Sequence, residues 1–385
     1  MRRLLLFVGI LALLAATAAI ALGATGTVGP FTFASGVSGT TFECSIDNSA
    51  YKTCSSPYSP TLAAGAHTLR VQEKFVSTTG TPPPPPPSGN HCFSSPRACG
   101  YPDPSTGYVG ASAACSSLAS SGPVTASSQG QTITGLNIVG GVTVTASNVT
   151  FTNDCISANG GSRSGSRVVT IANGAAAPRI EHSTIYGSNS TSQSVEEALN
   201  NNYSQPGAVA DHDYIYNCGE CVHGPWKLTN SYVTSNANIS GEHYEDIYCS
   251  DATFVAEHDV LINPHEQTAN LFCDTRGGGG GAADNHITLT NSLLAGSGFS
   301  VYPDGNSSSV GSSTMTITGN RFARCLSTSV YNPASGGTSC ANGPDSNGFF
   351  PKGGYFGIAA ATYCSGANQV WTNNVWDDNG ASVGC

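Results

Sequence analysis

The sequence predicts an all-β chain whose main body is a β-solenoid, and three observations predict it. Short apolar runs alternate with period two, an Asn, His or Gly interrupts each run at the same point, and the unit recurs along most of the chain. Alternation of this kind is a strand signal and excludes a helical reading. A repeat of about 20–30 residues marks a coil that buries its apolar face only against the next coil. The expected boundaries are a signal peptide at 1–24, a small β module at 25–77, a Pro-rich linker at 78–91 and the solenoid at 92–385.

Met1-Arg2-Arg3 followed by an apolar run from Leu4 to Leu22 and then small residues reads as a secretory signal, with cleavage after Ala19-Ile20-Ala21 or at Gly23-Ala24. The run is long enough that an uncleaved membrane anchor is the alternative. Beyond this segment no membrane role is expected. Fourteen cysteines, an even number, point to an oxidising compartment and several disulfides. With 14 Lys+Arg against 24 Asp+Glu the net charge is −10, so the basic footprint of a nucleic-acid binder is missing. A polyanionic glycan would need a local basic cleft or bound cations to offset that field.

In the small module Phe31, Phe33, Phe42, Leu69 and Val71 lie in alternating runs. The stretch FECSIDNSAYKTCSSPYSPTLAAGAHTLRV resembles the small immunoglobulin-like repeats of exported bacterial proteins. That resemblance implies a Cys44–Cys54 disulfide and the role of a spacer. Pro82 to Pro87 then form a stiff polyproline rod, a semi-rigid linker.

The solenoid repeat appears as VTFTNDCI at 149, RIEHSTIY at 179, VADHDYIY at 209, KLTNSYVT at 227, VAEHDVLI at 255, TLTNSLLA at 288, TITGNRFA at 316 and VWTNNVWD at 370. Its turn residues are Asn153, His182, His212, Asn230, His258, Asn291, Gly319 and Asn373, separated by 29, 30, 18, 28, 33, 28 and 54 residues. The last gap reads as one coil with an insertion, and an earlier coil fits from Thr132. The turn asparagines are expected to stack into a ladder that satisfies corner amides. His182, His212 and His258 are read as substitutes for Asn at those corners.

Residues 92–385 resemble the right-handed parallel β-helix proteins of the pectate-lyase-like superfamily, and a group of exported bacterial β-helix proteins in particular. The segments that carry this are GYPDPSTG, HYEDIY, NPHEQTA, DNHITLTNSLLAG, SSTMTITGNRFARC, FPKGGYFG and NVWDDNG. The resemblance implies a right-handed parallel β-helix. It implies little about activity, because one fold hosts many functions.

The candidate site lies in GEHYEDIYCSDATFVAEHDVLINPHEQTANLFCD, from Gly241 to Asp274. Aligning the coils on the inward residues Val222, Ile247, Leu271 and Val301 predicts which residues stack ~4.8 Å apart. Alternation then directs His223, Asp246, Tyr248, Asn270, Phe272 and Tyr302 outward. It turns Glu245 inward unless the strand bends. Rings beside short polar groups suit sugar binding. Glu242, His243, Glu245, His265 and Glu266 border that face, and neighbouring carboxylates and imidazoles can shift one another into acid and base. The expected catalytic residues are His243, Glu245, Asp246, His265 and Glu266. His223, Tyr248, Asn270, Phe272, Tyr302 and Lys352 are the expected substrate contacts. The sequence specifies no cofactor; for Ca²⁺ the candidate ligands are Glu242 and Asp274, and His with carboxylate would suit a transition metal equally. The structural alternative is that Glu245 bonds corner amides and His243 caps a turn.

The acid pairs and G-H-G of polygalacturonases are not matched, since Asp377-Asp378 falls in the terminal NVWDDNG and His223 stands in VHGP. Cys249 and Cys273 fall within disulfide reach on adjacent coils, and Cys218-Gly219-Glu220-Cys221 reads as a staple and not as a redox site. Two function classes stay open. One is an exported lyase, hydrolase or epimerase acting on an extracellular polysaccharide, and the other is a non-catalytic glycan-binding or adhesion rod. Either is expected to be a monomer.

Overall fold

The computed structural model describes residues 15–22, 26–31, 41–47, 52–74, 92–107, 115–158, 166–187, 195–201, 204–237, 239, 243–250, 253–274, 286–304, 314–325, 354, 356–359 and 369–385. The chain forms two compact units, residues 1–81 and 82–385.

In the first unit, four antiparallel strands run in the order Ala15–Leu22, Gly65–Lys74, Thr41–Ile46 and Lys52–Cys54. A disulfide links Cys44 to Cys54, and Cys44 and Leu69 pack with Phe31, Ile46 and Tyr58. Ala15–Leu22, inside the stretch assigned to the export signal, pairs residue for residue with Gly65–Gln72.

The second unit is a right-handed parallel β-helix with three sheets, called A, B and C here. Sheet A runs through ten described strands from Ala119–Ser121 to Val375–Trp376. Sheet B has nine, from Val124–Ala126 to Gly357–Ala359, and sheet C nine, from Thr132–Thr134 to Gln369–Thr372. Each coil passes from C through a tight corner to A and then to B. Stacked apolar columns fill the interior. In sheet A, Ile138, Ile156, Ile185, Ile215, Val233, Leu261, Leu294 and Phe322 lie in register and are buried. The 54-residue gap is one coil, since Thr314–Thr318 pairs directly with Gln369–Thr372.

All eight predicted turn residues adopt the left-handed conformation, with φ between 50° and 72°. Asn and Gly tolerate it most readily and His is also enriched there, which accounts for His182, His212 and His258 at these corners. The amide-satisfying ladder, however, stands one residue later than expected. Asp154, Ser183, Asp213, Ser231, Asp259, Ser292, Asn320 and Asn374 stack through the corner. From Leu136 to Asn320, each backbone N–H donates to the side chain of the next coil at 2.8–3.2 Å. Apart from Gly319, the left-handed residues are at least partly exposed, whereas the residue after each is buried. Burial pushes the Asp154 carboxyl up to about 6 and those of Asp213 and Asp259 well above the ordinary range.

Before coiling begins, the chain runs as a strap over the outer face of sheet A. Cys92 and Phe93 donate their backbone N–H to Asp377 on the last coil. Tyr101 stacks on His258 at 5.4 Å and joins Cys92, Val260, Ile262, Leu293, Ala295 and Ala323 in an apolar cluster. Gly107 sits where a Cβ would come 2.5 Å from Thr184 Oγ1, and Cys115 is disulfide-bonded to Cys155 near the first coils. The described strap residues thus run from the last coil at Cys92 back to Thr184 at Gly107. Asp377 Oδ1 also accepts from Arg321 Nε at 2.9 Å, so this aspartate is an anchor of the strap.

Candidate functional site

The predicted register of sheet B is the observed one. Val222, Ile247, Leu271 and Val301 are opposite one another and fully buried, with His223, Tyr248, Phe272 and Tyr302 as the next column. Simple alternation fails just before those anchors. On a flat strand residues three apart face opposite sides, yet Glu220 Oε2 lies 3.1 Å from His223 Nδ1 and Asn200 bonds Glu197. Each strand bends there, so two consecutive residues point inward and the residues on either side of them point outward.

That bend corrects two expectations. Asp246 and Asn270 lie inside, both at 0% exposure. Asp246 Oδ1 accepts from Ser235 N at 2.9 Å, and Oδ2 from Asn270 Nδ2 at 2.8 Å. Asn270 Nδ2 also donates to Ala295 O at 2.9 Å, tying the bend of sheet B to sheet A. Burial, against the Asn270 and Ser235 bonds, pushes the Asp246 carboxyl up to about 8. Neither side chain reaches the outer face, so neither meets a ligand there.

Outside the bend, three successive coils converge on His223. Its Nδ1 lies 3.1 Å from Glu197 Oε1 and 3.1 Å from Glu220 Oε2. Glu197 Oε2 is held from the other side by Arg167 Nε at 2.7 Å and by Asn200 Nδ2. Glu197 and His223 are buried and Glu220 half-buried. Burial raises the Glu197 carboxyl, but His223 and Arg167 outweigh it and hold it below its usual value. Burial alone would lower His223; the two glutamates bring it up to about 9. Tyr248 meets the imidazole edge-on at 4.6 Å.

From His223 an aromatic row continues along the stack. Tyr248 and Phe272 stack at 5.3 Å, and Phe272 and Tyr302 at 5.4 Å. Phe299 lies 5.0 Å from Tyr302 and Phe356 is 5.9 Å from Phe299, with Phe356 54% exposed.

The residues of the acid–base group expected around His243 stand in different settings. His243 is exposed and its Nδ1 lies 2.9 Å from Thr268 Oγ1. Tyr244 turns away, its hydroxyl donating to Ile239 O and its ring stacking on His265 at 3.5 Å. Burial pushes His265 down to about 4 against bonds to the backbone at Ala237 and Ser235. Glu245 pairs in register with Glu220 and is 1% exposed; Glu266 is half-buried. Asp274 pairs with Ser250 and Asp304 through the backbone. Its side chain, with Glu242 and Lys352, lies outside the described residues.

The cluster partners missed from sequence are Arg167, Glu197, Asn200 and Glu220. Their signal was present: VEEALN places Glu197 two residues before Leu199, as CGECVH places Glu220 two before Val222. Extending the alignment one coil back reaches Glu197 and Asn200, and a second coil back reaches Arg167. The cysteine readings stand, with disulfides at Cys249–Cys273 and Cys218–Cys221. No protein-family model, curated protein or solved structure matches this chain.

Proposed function

We propose that this β-helix binds a polysaccharide along the outer face of sheet B, outside the cell. The carrying observation is the row His223, Tyr248, Phe272 and Tyr302, four partly or wholly ring-lined coils in register. Ring surfaces bury the apolar faces of sugars, while Glu220 and His223 supply hydroxyl partners at one end. Phe299 is tilted by 50° to Tyr302 and Phe356 by 39° to Phe299, adding ring surface in other orientations. The disulfides fit an oxidising compartment, which agrees with export by the N-terminal signal. Membership of the pectate-lyase-like superfamily and an immunoglobulin-like spacer belong to the same reading.

A second reading, cleavage or epimerisation of the bound glycan, is favoured by one observation. The half-buried Glu220 carboxylate and the His223 imidazole stand beside each other at the head of the row, as an acid and a base must. Incubating the full chain with plant, algal and microbial polysaccharides, with and without Ca²⁺, separates the two. Retention of one glycan without new products supports binding; unsaturated products or new reducing ends support turnover. Retention of none, with no product, refutes both.

A further inference from the structure

We propose that Glu197, Glu220 and His223 form a binding site for a divalent transition-metal ion of the zinc or manganese type. Each residue offers one ligand atom, and the three atoms lie within 4.8 Å of one another. The two distances from Nδ1 to carboxylate oxygen are both 3.1 Å. Ligand atoms that far apart, each about 2.1 Å from a common ion, subtend about 95° at it, within the range of cis ligands.

Two further observations point to an ion and not only to a salt-bridge network. His223 is nine-tenths buried, and its Nδ1 lies 3.1 Å from both carboxylates without reaching hydrogen-bond geometry with either. A buried ring nitrogen aimed between two oxygens is the geometry a cation would complete. Glu197 is also oriented as a ligand is oriented. Arg167 and Asn200 occupy its Oε2 and leave Oε1 toward His223, the outer-shell bonding that fixes a carboxylate at a metal. One imidazole with two carboxylates selects a transition metal over Ca²⁺, which takes oxygen ligands in larger number. Three protein ligands, with Glu220 half-buried, leave coordination positions for water or a sugar hydroxyl at the head of the aromatic row. The site stands on this geometry alone and does not need the glycan reading.

The test is calorimetric titration of Zn²⁺, Mn²⁺ and Ca²⁺ into chelator-stripped full-length protein carrying no polyhistidine tag. One equivalent of Zn²⁺ or Mn²⁺ is expected to bind well ahead of Ca²⁺. Loss of an outer-shell partner alone costs 10–100-fold, so His223→Gln and Glu220→Gln should each weaken binding by about a hundredfold. His243→Gln, an exposed histidine just before the sheet B strand Tyr244–Ser250, should leave it unchanged. Because Glu220 is half-buried, its variant keeps the test valid if His223→Gln fails to fold, with circular dichroism as the check. Absence of Zn²⁺ and Mn²⁺ binding, binding that survives Glu220→Gln, or binding lost with His243→Gln overturns the proposal.

Discussion

Replacing Asp377 with alanine probes how the strap is fastened to the solenoid. The carboxylate is buried, 1% exposed, and has three donors: Arg321 Nε at 2.9 Å, Cys92 N at 3.2 Å and Phe93 N at 2.9 Å. Its loss leaves Arg321, itself 4% exposed, as a buried charge without its partner, at a cost of about 3–5 kcal/mol. Two amides lose their acceptor as well, each worth about 1 kcal/mol or more while it stays buried. A loss near the upper end of that range is therefore expected. The double variant Arg321→Met with Asp377→Leu removes both charges, so it should be less destabilised than Asp377→Ala, the remaining deficit being the two strap amides. Urea unfolding followed by circular dichroism gives the stabilities, and limited proteolysis of residues 92–107 reports release of the strap. A single variant within about 1 kcal/mol of wild type, or a double variant as unstable as the single, would refute this reasoning.

Three other outcomes are expected. The native Asp246 keeps its proton up to about pH 8, whereas the unfolded chain releases it near 4, so the native state binds more protons between those values. Stability should fall as pH rises through that window, by an amount on the order of a few kcal/mol, and urea midpoints for Asp246→Asn should show a flatter slope. Phe272→Ala, which breaks the aromatic row at its middle, should weaken retention on the bound glycan by about tenfold while far-ultraviolet circular dichroism stays unchanged; undiminished retention would place the glycan elsewhere. Gly319→Ala should lower the melting temperature, because φ is +72° there and the new Cβ would come 2.7 Å from Asn291 Oδ1. Strain in the left-handed region alone costs about 1–2 kcal/mol.

By itself the sequence determined the solenoid, its coil spacing, the corner positions and the stacking register of sheet B. These follow from local rules: period-two burial, the few residues that tolerate positive φ, and a repeat that aligns with itself. Val222, Ile247, Leu271 and Val301 stack as aligned because a one-residue slip would expose the whole apolar column. Tertiary structure decided three things. It bent the strands of sheet B, which took Asp246 and Asn270 inside and brought Glu220 onto the same side as His223. It drew Arg167, Glu197 and Glu220 from three coils around one imidazole. It joined Cys92 and Phe93 to Asp377, 284 residues and more along the chain. Alternation describes a straight strand and carries no information about a bend. A bend is set by how many side chains the closed interior must hold at that corner, and only the assembled stack decides that.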